Sequence, residues 1–338
     1  MSNVLQRGIE AHQRGELADA RRLYEQTIGV AKHNLGVVHE QLGEYPEAIR
    51  LFREALDADP ARDESAASLA LALLREGRYA EAWPLHERRR GLKRLKLVSP
   101  KEHWPEWKGE DIAGKRLAVI GEQGLGDQIM FARFLQPLRA KGAEVSLICG
   151  PDLVTLLGGQ CTLNRNDFDL WCYLLGVPLH LRTTLETLPP PVSLPVAWRG
   201  GGGVGVMPTG NPAYLKNAQR TPDPPVQAEM LALGRDLRPE ATGARDFLES
   251  AEIVAGLDLV ITIDTSMAHL AGSLGVPTWI LLPATDTDWR WLRARTDSPW
   301  YPSVRLFRQP GAGDWAGALA TVKALLRAGS GGVRLPGD

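Results

Sequence analysis

The sequence predicts an α/β protein with an all-α N-terminal part, in which helical hairpins precede two lobes built on parallel sheets. Three observations carry this reading. A 34-residue spacing recurs within the first ninety residues. An apolar run from Leu257 to Ile263 ends in Asp264-Thr265-Ser266 and passes at once into a small-residue helical pattern through Ala268, His269, Leu270, Ala271 and Leu274. A second strand-loop-helix pattern lies upstream, where Arg116 to Ile120 leads into Gly121-Glu122-Gln123-Gly124-Leu125-Gly126-Asp127.

The helical part comes first. Gly43, Tyr45 and Ala48 recur 34 residues on as Gly77, Tyr79 and Ala82, which is the tetratricopeptide period. In the middle unit Leu35-Gly36, His39, Phe52, Ala55 and Pro60 fall where small residues allow helices to approach and larger ones fill the neighbour. An earlier partial unit (Gly15, Ala20, Tyr24) begins 28 residues before Gly43. About six residues are therefore missing near Gly29, and the usual helix break is expected to be absent there. Each unit buries its apolar face only against the next, so a short array must lean on the rest of the chain. Two readings of the array stand: a scaffold for the remaining domains, or a groove for a peptide or protein partner. Asn34 occupies the position from which related arrays grip a peptide backbone, whereas its counterpart one repeat on is Ser68. The basic run from Arg88 to Lys96 is expected to end the last helix, where cations suit the helix dipole. Trp104-Pro105-Glu106-Trp107 comes next as an aromatic connector, expected to pack the repeats against the next domain.

From about residue 110 the pattern alternates between strands and helices, which implies parallel βαβ units. Strands are expected at 116–120, 144–149, 203–207, 257–263, 278–282 and 304–307. The Pro- and Gly-rich stretch from Leu188 to Gly203 divides this region and reads as a hinge. The expected organisation is a repeat domain over 1–97, a first lobe over 110–190, a second over 200–328 and a disordered tail over 329–338.

Composition narrows the function classes. A chain of 338 residues is long enough for several cores. Its net charge of -1 and pI near 6.7 give no electrostatic case for nucleic acid or an anionic membrane. Cys149, Cys161 and Cys172 lack metal-ligand spacing, and an odd count fits a reducing compartment. No apolar run approaches the roughly 18 residues that span a bilayer, and the first residues lack a secretory leader's apolar core. The expected location is the cytoplasm, with no transmembrane segment.

The two strand-loop-helix turns carry the chemistry. Hydroxyls and unpaired backbone N–H groups at a helix start form an anion site, and ligands of open α/β sheets bind at the strands' carboxyl ends. Two such turns, far apart in sequence, imply two nucleotide-fold halves facing one cleft. Other nucleotide chemistries fit less well. Gly121, Gly124 and Gly126 do not spell G-x-G-x-x-G, no G-K-[ST] comes after them, and the seven histidines show no H-E-x-x-H.

With the repeats, the Gly-Leu-Gly-Asp loop and the Asp-Thr-Ser-Met-Ala-His-Leu-Ala-Gly segment in place, the chain resembles tetratricopeptide proteins fused to a heptosyltransferase-like (family 9) glycosyltransferase domain. Asp288-Trp289-Arg290-Trp291, Ser298-Pro299-Trp300-Tyr301-Pro302 and Leu306-Phe307-Arg308-Gln309 extend the likeness. The resemblance implies two Rossmann-like lobes of GT-B type and inverting, metal-independent glycosyl transfer. A nucleotide-sugar would serve as substrate, with no cofactor and a protein or glycan acceptor. It makes Asp127 the base, with Gly124, Gly126 and Gln128 in the acceptor-side loop. Asp264, Thr265, Ser266 and His269 become donor contacts, joined by Asn211, Lys216 and Arg220 of a second donor-side loop. Structural readings stand beside these roles. Asp127 suits a helix's first turn, Thr265 or Ser266 suits an N-cap, and Lys216 suits an exposed surface.

Two segments look shortened: Thr221–Glu240, without a β-branched run, and the stretch around Gln160–Asn166. Loss of a central strand would strand its neighbours' backbone groups. The alternative expectation is therefore a non-catalytic tetratricopeptide interaction protein with a degenerate transferase domain.

Overall fold

The structure, a computed structural model, describes residues 3–97, 99–100, 104–164, 167–214 and 216–329. The chain divides into two compact units, one of residues 1–97 with 285–293 and the other of 98–284 with 294–338. The end of the chain beyond Gly329, where a disordered tail is expected, lies outside the described residues, as do Arg165 and Asn166.

The first unit contains α1 (Asn3–Gln13), α2 (Leu17–Glu25), α3 (Ile28–Gln41), α4 (Tyr45–Ala58), α5 (Asp63–Arg75) and α6 (Tyr79–His86), paired as hairpins. In α4 the buried residues Tyr45, Ala48, Ile49, Leu51, Phe52 and Ala55 recur at helical spacing and form one apolar stripe. Gly15, Gly43 and Gly77 close the hairpin turns with φ of 77°, 80° and 74°, left-handed geometry that glycine adopts without Cβ strain. Helices approach closely where a glycine meets an aromatic ring. A Cβ at Gly8 would lie 2.8 Å from Tyr24, and one at Gly36 would lie 2.7 Å from Phe52.

The helix break near Gly29 is present, contrary to expectation: Gln26 and Thr27 separate α2 from α3. The missing residues come from α2, nine residues long against fourteen in α4, and from a linker of two residues where the next has four. The basic run does not prolong α6 either. Pro84 cannot donate to the helix ladder, α6 stops at His86, and residues 87–91 and 93–95 turn as 3-10 helices. Arg89 is buried, donates to the His86 carbonyl at 3.1 Å and pairs with Glu87.

The second unit holds two parallel sheets. β1 (Arg116–Ile120), β2 (Glu144–Ile148) and β3 (Leu170–Tyr173) form one, in the order β2-β1-β3. β4 (Val204–Met207), β5 (Arg235–Asp236), β6 (Leu259–Ile263), β7 (Thr278–Leu282) and β8 (Val304–Arg308) form the other, in the order β5-β4-β6-β7-β8. Around the first sheet run α7 (Leu125–Phe131), α8 (Leu135–Ala140), α9 (Pro151–Leu157) and α10 (Val177–His180). With the second go α11 (Asn217–Arg220), α12 (Pro224–Leu231), α13 (Pro239–Thr242), α14 (Phe247–Ala255), α15 (Ser266–Leu274) and α16 (Trp315–Gly329). Every residue of β6 and β7 is buried, as near-continuous apolar strands in a parallel sheet require.

Three features depart from the sequence expectations. β3 is an additional strand. The shortened segment retains a strand, β5, whose two residues pair with Gly205 and Val206 at the sheet's edge. The abbreviation therefore falls at an edge and opens no gap inside the sheet. β6 begins two residues later than expected, because the Leu257 amide closes α14 on the Val254 carbonyl. The Asp258 carboxylate meanwhile accepts from the amides of Gly201 and Gly203 at 2.6 and 2.9 Å. Those two donors hold the Asp258 carboxyl below its usual pKa and anchor the end of the 188–203 connection.

The aromatic connector belongs to this unit. Trp107 is buried, its amide donates to the Trp171 carbonyl at 2.8 Å, and Trp104 meets Phe168 edge-on. The two sheets are joined through their helices, α7 packing on α15 and α9 on α14, with Thr155 Oγ1 donating to Asp246 Oδ2 at 2.8 Å. Among the described residues no helix is long and apolar enough to cross a membrane.

Candidate functional site at two switch points

Strand order locates the site. In the second sheet the chain leaves β4 towards β5 on one side, whereas it leaves β6 towards β7 on the other. The connections diverge between β4 and β6, and such a reversal opens a crevice at the strands' carboxyl ends where α/β proteins bind ligands. The same divergence occurs in the first sheet, where β1 leads to β2 on one side and has β3 on the other. The loops after β4, β6 and β1 are the ones that the sequence singles out.

At the second switch point the loop after β4 is tied to the turn after β6. Arg220, at the end of α11, donates from Nη1 to the Asp264 carbonyl and lies 4.4 Å over the Tyr214 ring. Gly210 leaves room for this arrangement: a Cβ there would stand 2.6 Å from Arg220 Nη2, which would have to shift. Asn211 is exposed and accepts from the Ala213 amide at 2.9 Å, holding a tight turn. Lys216 is exposed at the start of α11. The loop thus presents Arg220 beside the turn that starts α15, with Lys216 exposed at the other end of α11.

In that turn Thr265 has extended geometry and is the N-cap of α15, although its side chain makes no capping bond. It is buried, and its Oγ1 lies 3.3 Å from Thr262 Oγ1 on β6. The hydroxyl faces the strand below, which turns the expected Thr265 phosphate contact inward. Asp264 and Ser266 are half-buried and border the open side of the turn. His269 is buried, with Nδ1 3.1 Å from the Tyr301 hydroxyl.

At the first switch point Gly124 is the N-cap of α7, and its amide donates to Asp127 Oδ2 at 2.8 Å. This single return bond from the first turn to the N-cap amide gives Asp127 a structural duty at a half-buried position. Glu122, to which the sequence assigns no role, is buried and accepts from the Leu175 amide at 3.2 Å, bridging the loops after β1 and β3. Gln128 is buried beneath this loop. Its Oε1 would lie 2.3 Å from a Cβ on Gly121 and has no hydrogen-bond partner among the described residues.

The two switch points meet. A Cβ on Gly126 would lie 3.2 Å from the Ser266 Cα and 2.8 Å from His269 Cδ2, so the starts of α7 and α15 pack closely with no room for a side chain between them. Asp127, Asp264, Ser266 and Arg220 are thereby brought to one locality, whereas Thr265, His269 and Gln128 lie beneath it. Tyr301 and Arg133 complete the support. Arg133 is buried, donates to the Trp300 carbonyl at 2.8 Å and lies 4.9 Å from both the Trp300 and Tyr301 rings. Nothing in the local sequence marks Arg133, because Trp300 and Tyr301 lie about 170 residues away; Tyr301 lies in the Ser298–Pro302 motif, whose spacing alone gives it no role.

The helical unit carries a separate hollow of about 430 Å³, lined by Pro46, Ile49, Arg50, Arg53, Glu54, Glu76 and Arg78. Its arginines pair with glutamates on the same face, Arg50 with Glu47 and Arg53 and Arg78 with Glu81. Asn34 is half-buried and lies against the Tyr24 hydroxyl between two helices.

The tetratricopeptide repeat family matches residues 5–61 and 33–89, so the N-terminal hairpins are tetratricopeptide repeats. The chain is similar to Protein FlbA of Caulobacter vibrioides, 27% identical over 88% of this chain and 61% of that protein. It therefore spans about three fifths of that relative's length. Among solved structures it is similar to the bacterial iron-containing dodecameric glycosyltransferase TibC of enterotoxigenic E. coli. The identity is 11% and the TM-score 0.43, over 65% of this chain and 78% of that one. A glycosyl transferase family 9 structure from Veillonella parvula gives 11% identity and a TM-score of 0.42, over 65% and 98%.

Proposed function

We propose that the chain is a glycosyltransferase that moves a sugar from a nucleotide-sugar to a hydroxyl acceptor with inversion. The reading rests on the resemblance of its motifs. The observation that carries it is the contact of Gly126 with Ser266, which sets two switch-point crevices side by side. In the proposed reaction the Asp127 carboxylate takes the acceptor hydroxyl's proton as the oxygen bonds the anomeric carbon. The bond from that carbon to the diphosphate oxygen breaks, and the nucleoside diphosphate leaves with the electron pair. Its charge needs partners in place before the bond breaks, and in this reading Arg220, Lys216 and backbone amides at the start of α15 serve as those partners.

A second reading, an interaction protein with a degenerate transferase unit, is favoured by one observation: Asp127 is already engaged in capping Gly124. Incubating the chain with UDP-, ADP- and GDP-sugars and candidate hydroxyl acceptors, and measuring nucleoside diphosphate release, separates the two. Release that Asp127→Asn abolishes supports the enzyme. A folded chain that releases nothing from any donor, yet retains a protein partner, supports the second reading.

A further inference from the structure

The segment between β7 and β8 is the least expected element of the molecule. The chain leaves the α/β unit after Ala284, joins the helical unit for Thr285–Arg293, and returns at Ala294. There it is held along its length by repeats some two hundred residues away in sequence. The Thr285 Cγ2 methyl packs at Gly43, where a Cβ would stand 3.0 Å away. The Asp286 amide donates to the Tyr45 hydroxyl at 3.2 Å. Arg75, buried, donates from Nε to the Thr287 carbonyl at 2.9 Å and from Nη1 to Glu40 at 2.6 Å, with Asp286 4.0 Å from its Nη2. The Trp289 ring meets Tyr79 and Trp83 edge-on at centroid distances of 6.2 and 6.0 Å. Arg293 closes the segment by pairing with Glu76 at 3.0 Å.

The groups of the array that touch the segment are of varied chemistry: the Gly43 turn, the Tyr45 hydroxyl, a buried arginine between carboxylates, and an aromatic pair on the last hairpin. A terminal repeat also needs its outer apolar face covered, and Trp289, buried against Tyr79 and Trp83 of the last hairpin, contributes to that cover. We infer that Thr285–Arg293 is a ligand of the repeats held in cis. The array is a recognition module for a short acidic-aromatic segment of the type Thr-Asp-x-Asp-Trp-Arg-Trp, and its surface on the last two hairpins is occupied by the chain itself. Tethering gives the segment a high effective concentration, so an outside protein reaches this surface only by presenting a similar segment and displacing the resident one. The inference rests on the helical unit alone and is independent of the proposed chemistry.

The test uses the full chain with residues 286–292 replaced by a Gly-Ser run of equal length, titrated with a fluorescent peptide of residues 284–294. The expected result is saturable binding at least tenfold tighter than to the unaltered chain, and at least tenfold weaker when the peptide carries Trp289→Ala. Equal binding to the replaced and unaltered chains overturns the inference. A milder variant covers the case in which the replaced chain does not fold. In full-length Trp289→Ala, amide exchange in α5 and α6 is expected to rise at least tenfold while β6 and β7 keep their protection. Unchanged exchange in α5 and α6 overturns the inference as surely.

Discussion

Arg220 donates to the backbone carbonyl of Asp264, and this one bond joins the loop after β4 to the turn after β6 across the point where the connections of the second sheet diverge. The bond fixes the cation beside the start of α15. It also leaves the guanidinium backed by the Tyr214 ring, at the edge of the crevice to which the proposed function assigns the diphosphate.

The two duties of Asp127 can be separated by substitution. Asn at this position keeps an oxygen to accept from the Gly124 amide but cannot take a proton. Asp127→Asn is expected to melt close to the parent while turnover falls by about a hundredfold or more, the usual range for a lost base. Asp127→Ala is expected to lose turnover and also about 1 kcal/mol of stability with the capping bond. Thermal melts beside initial rates check both. If Asp127→Asn turns over at the parental rate, the capping duty is the whole of its role.

Gly126 tests the contact between the two helix starts. Gly126→Ala places a methyl against the Ser266 backbone and the His269 ring, neither of which can retreat from a packed core without cost. A destabilisation of about 1–3 kcal/mol is expected by denaturant titration. The change is also expected to weaken binding of nucleotide-sugar, because α15 must shift. A neutral substitution would mean that the two helix starts do not touch.

Acid stability reports on the helical unit. His33 is largely buried with its Nδ1 3.1 Å from Ser65 Oγ, and burial, reinforced by Arg62 and Arg94, lowers its pKa to about 4. The unfolded chain, with an ordinary histidine near 6.5, then binds the proton that the folded chain refuses. This contribution is fully present above pH 6.5 and is lost as pH falls towards 4, by roughly 3 kcal/mol at most. Denaturant midpoints of the parent are expected to fall across that window and those of His33→Gln to fall less. Parallel slopes would contradict the assignment.

Much of this is legible in the sequence, and the remainder is hidden for identifiable reasons. β1 and β7 can be read residue for residue because buried parallel strands are nearly pure apolar runs. β3 cannot, because Leu170-Trp171-Cys172-Tyr173 is only four residues long, has no β-branched residue and comes just after Asp167 and Asp169. Thr265 and Ser266 can be placed at a helix start, but which hydroxyl faces outward depends on Thr262 one strand residue below, and no spacing rule shows that. Arg133, Tyr301 and the segment from Thr285 to Arg293 act through partners remote in sequence. Their importance becomes visible only when those partners are adjacent in space.

The central claim is that a nucleoside diphosphate binds where Arg220 meets the turn at Asp264. Calorimetric titration of UDP-, ADP- and GDP-sugars, and of the free diphosphates, into the parent and into Arg220→Ala tests it most directly. The account predicts saturable one-site binding of at least one nucleotide, weakened by about tenfold to a hundredfold in the variant, as expected for a hydrogen bond to a charged group. Absence of binding by every nucleotide to the folded parent, or equal affinity in both proteins, would contradict it.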